Sequence, residues 1–161
     1  METNGSHKIR EILFKGKRLD NGQWIEGYYM RHENRMPAPI GDTLKEGDVD
    51  HLILFDEFAD WNMPRGIKYA HVYPSTVCQY TGLTDKNDKK IFEGDIIKGK
   101  SEQLYTVEYS DRIAGFVTRG TGVLSTPCMN TGTMLYYEII GNIHDGKGGQ
   151  FEPPKEKEPT P

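Results

Sequence analysis

Glu93 and Asp95 flank Gly94, and two carboxylates this close would supply one acid and one base to a reaction. The pair also has a plainer use. An aspartate accepts backbone N–H bonds inside a turn, and Glu93 stands near Lys89 and Lys90, either of which would pair with it. His71 and Ser75 lie four residues apart among plentiful acids, but no Gly-x-Ser-x-Gly elbow frames the serine. They read as loop or surface residues. Gly141 to Gly148 fits G-x-x-x-x-G-K, the spacing of a phosphate-cradling loop. Gly148 takes the place of the hydroxyl that would hold magnesium, and the Gly-Gln-Phe-Glu-Pro-Pro that follows cannot begin the required helix.

Metal and redox chemistry find equally little. Cys78 and Cys128 are far apart and neither has a Cys or His at ligand spacing, so both read as buried or incidental thiols. No two of the five histidines stand at helical ligand spacing, and Asp48-Val49-Asp50 lacks the glycine and closing glutamate of a calcium loop. The expectation is no catalytic residue, no cofactor and no metal. Tyr80, Phe92, Tyr105 and Tyr109 would stack nucleobases if displayed on a small barrel. Alternate positions of short strands must face inward, however, and core packing is the commoner use of such residues.

The elements that must position these residues are strands. Eighteen glycines and nine prolines in 161 residues, few long helix-forming runs and 35% hydrophobic residues favour a mainly β class, with β-rich α+β as the alternative. Phe14 and Ile12 alternate with polar neighbours, Trp24 to Met30 is aromatic, and Asn21-Gly22 between them predicts an antiparallel hairpin with positive φ at both turn residues. Arg31 to Gly47, carrying Pro37, Pro39 and Gly41, reads as a long loop, and Leu52 to Phe55 as a strand. Val77 to Tyr80 is β-favouring, Thr81-Gly82 breaks it, and a polar loop returns the chain into Ile91-Phe92 before a sharp turn at Glu93-Gly94-Asp95. Short strands follow at Asp95 to Gly99, Leu104 to Ser110, Gly115 to Thr118 and Leu135 to Ile143, with a Gly/Thr/Ser-rich loop over Arg119 to Thr133. This pattern predicts a hairpin packed on a small SH3-like barrel or on a meander.

Organised in this way, residues 1–7 form a polar lead, 8–70 a hairpin-and-loop region, 71–145 a β core and 146–161 a disordered tail of glycine, proline and alternating charge. No apolar run approaches the roughly 18 residues of a membrane helix, and no signal-peptide core precedes residue 8, so the expected place is the cytoplasm and no membrane partner is expected. The net charge of -4 argues against an extended phosphate-binding surface. Its distribution is uneven, with Lys8, Arg10, Lys15, Lys17 and Arg18 basic and Asp42, Glu46, Asp48, Asp50, Asp56, Glu57 and Asp60 acidic; such runs are usually solvated faces.

The segment Tyr73 to Lys98, YPSTVCQYTGLTDKNDKKIFEGDIIK, resembles the signature of the YopX family of small phage and prophage proteins. The matching residues are Pro74, Thr76, Val77, Gln79 to Leu83, Asp85 to Asn87, Lys89, and Ile91 to Ile96. Arg10 to Tyr29 and Glu138 to Ile143 fit the family's opening and closing stretches. Asp88 departs from it, standing where the family has glycine after Asn87, which implies a looser or longer hairpin tip. The resemblance implies a phage origin and a fold but no catalytic residues. Together with the absence of a catalytic constellation, it points to a non-enzymatic accessory protein acting as an interaction module toward a host or phage protein. Homo-oligomerisation stays open. The alternative is a nucleic-acid-binding small barrel that uses the basic hairpin with Lys86, Lys89, Lys90, Lys98 and Lys100.

Overall fold

The computed structural model describes residues 10–36, 40–58, 65–99, 102–120 and 129–146. The expected mainly β class holds. The strands are β1 (Phe14–Lys17), β2 (Trp24–Glu33), β3 (Val49–Glu57), β4 (Gly66–His71), β5 (Cys78–Thr84), β6 (Lys90–Phe92), β7 (Asp95–Lys98), β8 (Leu104–Ser110), β9 (Gly115–Gly120) and β10 (Glu138–Asn142), with one short helix, α1 (Thr131–Met134). They form a six-stranded sheet in the order β4-β3-β2-β1-β5-β6 and a four-stranded sheet in the order β10-β7-β8-β9, antiparallel throughout. The larger sheet draws strands from both sides of residue 71. Among the described residues no closed barrel is formed, and β7-β8-β9 run as a meander with β10 beside β7.

β2 divides its length between two partners. Residues Trp24 to Gly27 pair with β1, and Tyr28 to Glu33 pair with β3. Gly27 is the point of exchange: a Cβ there would lie 2.0 Å from the backbone oxygen of Leu54. The sheet therefore continues end to end along β2 instead of stacking side by side, and β4 is left as an outer strand.

Several local expectations need correcting. The first hairpin forms, but only Gly22 has positive φ, and Arg18 pairs with Gln23 across a longer loop. Strand pairing carries β2 to Glu33, three residues into the stretch expected to be loop, because Arg31, His32 and Glu33 find partners on β3 as Tyr28 to Met30 do. β4 was not legible at all, and β9 runs to Gly120. Thr81-Gly82 does not end its strand; β5 bulges there, with the register shifting between Tyr80 and Thr84, and Gly82 takes φ +87°. At the tip of the next hairpin, by contrast, the longer loop expected at Asp88 is present, and Asp88 has φ 60°, the conformation that glycine adopts most readily. Pro37, Pro39, Lys8, Lys100 and Cys128 lie outside the described residues, as do most of the Arg119 to Thr133 loop and of the tail.

The short strand β6 separates two apolar clusters by its period of two. Ile91 joins Ile97, Val107 and Met134, whereas Phe92 joins Leu13, Cys78 and Tyr80, with Trp24 against them. The turn after it is fixed by Gly94 at φ +75°, where a Cβ would also sit 3.1 Å from Ile143 Cγ1. Gly94→Val should therefore cost about 1–3 kcal/mol. Gly82→Val meets open space and should cost less, so a calorimetric ranking in which Gly94→Val melts at the wild-type temperature would count against this turn.

Candidate functional site

Alternation along β1 sends Lys15 and Lys17 to one side, and both reach the indole of Trp24, with their ammonium groups 4.7 and 4.8 Å from its ring centroid. Lys15 Nζ donates to Asp95 Oδ1 at 2.6 Å, and Lys17 Nζ lies 3.2 Å from Asp145 Oδ1. Asp95, only 1% exposed, also accepts from Phe92 N at 2.8 Å and from Asn142 Nδ2 at 2.9 Å. Asp145 accepts from Trp24 Nε1 and Asn142 N, both at 2.9 Å. One polar junction thus ties β1, β2 and β6 of the larger sheet to β7 and β10 of the smaller.

The junction absorbs most of the candidate chemistry. Asp95 takes the turn role open to it, accepting the Phe92 N–H, and the Lys15 ammonium and the Asn142 amide complete its three donors. Glu93 does not pair with Lys89 or Lys90: Lys90 lies 3.5 Å from Glu26, and Glu93 lines a surface cleft. Within Gly141 to Gly148, Asn142, His144 and Asp145 form the turn that completes the junction instead of a phosphate cradle. Asp85 is a structural anion, accepting from the backbone N–H of Asn87, Lys89 and Ile139 at 2.8, 3.0 and 3.0 Å. Burial opposes its ionisation, but these three bonds prevail and hold its pKa below the usual value.

His71 faces Asp50 at 3.7 Å, and Ser75 is exposed in the 3-10 turn Pro74–Thr76. Its neighbour Thr76 is the buried one, accepting from Lys17 N and donating to Tyr73 O. Burial pushes the Cys78 thiol up to about 12, which leaves it protonated and unreactive. Tyr80 and Phe92 fill the core, Tyr105 packs against the second cluster, and Tyr109 is exposed. Among the described residues no group of three His, Cys, Asp or Glu could hold a metal ion, and no helix is long and apolar enough to cross a membrane.

The surface offers more than the interior. Tyr28, Leu54 and Tyr69 are direct cross-strand partners and so share one face of β2, β3 and β4, with Ile67 two residues along from Tyr69. Tyr28, Ile67 and Tyr69 are 61%, 77% and 63% exposed. β4 pairs only with β3, so among the described residues its other edge carries no strand.

The profile of the YopX protein family matches residues 29–147, well over half of the chain. This chain belongs to that family. The match takes in the Asp85 anchor, Asp95, Asn142 and Asp145 and begins at Tyr29, so the Lys15, Lys17 and Trp24 side of the junction lies outside it. No curated protein matches the chain.

In this YopX-family chain the lysines that a nucleic-acid reading would use are largely paired. Lys15 and Lys17 serve the junction, Arg18 pairs with Asp20, Lys86 with Glu138, Lys90 with Glu26 and Lys98 with Glu102. Beside the junction, burial lowers the pKa of His144, Lys15 and Lys17 lower it further, and Asp145 opposes them. A folded-state pKa below the unfolded value of about 6.5 means that unfolding takes up a proton. This contribution is complete above that pH and is lost as pH falls through the lowered value. Asp145 is also lowered: burial works against it, but the hydrogen bonds from Trp24 and Lys17 prevail. Its contribution is lost further down, as pH falls below about 4. The melting temperature should therefore decline from pH 7 to pH 5, and His144→Gln should flatten that limb while leaving the steeper loss at lower pH. A wild-type Tm that is level from pH 7 to pH 5 would contradict the burial of His144.

Proposed function

We propose that this protein is a non-enzymatic interaction module, encoded by a phage or prophage and acting in the host cytoplasm, that docks a host or phage protein through the outer face and free edge of β4. The observation that carries this reading is the row Tyr28, Leu54, Tyr69, with Ile67, beside the outer edge of β4, which carries no strand among the described residues and is met only at its end, where Leu19 N donates to His71 O. Aromatic side chains supply contact area at low entropic cost, and an unpaired edge offers a partner main-chain hydrogen bonds with register fixed by alternate side chains. The interior supports the same reading, since its buried carboxylates are engaged in structure. The test is paired affinity capture from host lysate with the wild-type chain and with Ile67→Asp and Tyr69→Asp, both surface changes expected to leave Tm within about 1 °C. A discrete protein retained by the wild type and lost with both variants is the expected result. Equal recovery by all three would remove β4 from the interface.

A further inference from the structure

A cleft of about 440 Å3 opens between β5 of the larger sheet and the β8–β9 hairpin of the smaller, lined in part by Arg10, Gln79, Glu93, Tyr109, Ala114 and Phe116. Its size falls within the range of about 300–1,000 Å3 typical of small-molecule sites. Glu93 lines it from a fixed backbone: Glu93 N donates to Gln79 O at 2.9 Å, and Glu93 O accepts from Asn142 Nδ2 at 3.3 Å. Arg10 lines the same cleft, yet the two opposite charges form no ion pair with each other or with any other described residue. Tyr109 and Phe116, direct partners across the hairpin, present a T-shaped aromatic pair with centroids 5.4 Å apart. Ala114 is held at φ 50°, a conformation a residue with a Cβ rarely adopts and one that gathers at binding sites.

A carboxylate and a guanidinium on one cleft, without an ion pair among the described residues and beside aromatic surface, match a ligand that carries both charges and an apolar body. We propose that the cleft binds a zwitterion of the amino-acid class, with its ammonium on Glu93, its carboxylate on Arg10 and its side chain against Tyr109 and Phe116. A free amino acid and a short peptide with both termini uncapped share this chemistry. The cleft involves β5, β8 and β9, whereas the docking face involves β2, β3 and β4, so the two proposals stand or fall separately.

The test uses the full chain with saturation-transfer NMR and calorimetry, and four probes: L-phenylalanine, its N-acetyl derivative, its amide, and the dipeptide L-alanyl-L-phenylalanine. One of the two zwitterions should bind at millimolar concentration, and loss of either terminal charge should weaken binding by about tenfold or more. Tighter binding of the dipeptide would assign the site to peptides, and tighter binding of phenylalanine to free amino acids. Glu93→Gln should abolish the penalty for N-acetylation while keeping that for amidation, and Arg10→Gln should do the reverse, each with Tm unchanged. Failure of both zwitterions to give saturation transfer would overturn the proposal. So would capped probes that bind as well as their parents.

Discussion

Asp95→Ala should be the most damaging single change in the chain, lowering stability by about 3–5 kcal/mol, because it leaves the ammonium of Lys15 with no counter-charge in a mostly buried site. The same change strips the acceptor from Phe92 N–H and from Asn142 Nδ2. A domain of this kind has about 5–15 kcal/mol in total, so the variant is expected at the edge of unfolding. Asp95→Asn keeps the volume and some acceptor capacity and should fall between the two. Urea titrations monitored by tryptophan fluorescence would read these losses through Trp24, one of the chain's two tryptophans, whose ring centroid lies 4.7 and 4.8 Å from the ammonium groups of Lys15 and Lys17. A loss below about 1 kcal/mol for Asp95→Ala, the level of an exposed ion pair, would mean that the junction does not join the sheets.

Gly27→Ala should follow, at about 3 kcal/mol, the upper end of what overpacking usually costs. The new methyl would stand 2.0 Å from a backbone oxygen and 2.9 Å from Ile53 Cγ2, and backbone on a paired strand cannot swing aside as a side-chain tip can. The expected relief is separation of β2 from β3, which would show as rapid hydrogen exchange in residues 49–57 while β7 to β9 stay protected. Gly66→Ala, where a Cβ meets nothing within 4 Å, is the matched control and should melt like the wild type. If both alanines melt alike, the close approach at Gly27 is not a feature of the fold.

What the sequence displayed and what it hid divide along physical lines. The Asn21-Gly22 hairpin and the Gly94 turn were legible because glycine and asparagine mark reversals locally, and β7 and β8 because short β-favouring runs bounded by polar or glycine turns are a local signal. β4 was hidden because Gly66-Ile-Lys-Tyr-Ala-His71 carries its large apolar residues, Ile67 and Tyr69, on the exposed side, so its pattern does not look like that of a strand with a core face. The junction was hidden for another reason. Asp95 lies 80 residues from Lys15, and Asp145 lies 121 from Trp24, and no spacing rule reaches that far. One clue was present: Lys15 and Lys17, two apart on a predicted strand, must share a side, and two like charges on one side call for acceptors.

The most direct test of the proposed docking surface is site-specific photo-crosslinking in host cells that express the chain. A photoreactive phenylalanine analogue would replace Tyr69 in one chain and Ile140 in another; Ile140 is an exposed residue of β10 in the other sheet, 50% accessible. The account predicts a discrete adduct from position 69 and none from position 140. An adduct from 140 alone, or none from 69 at full expression, would contradict it.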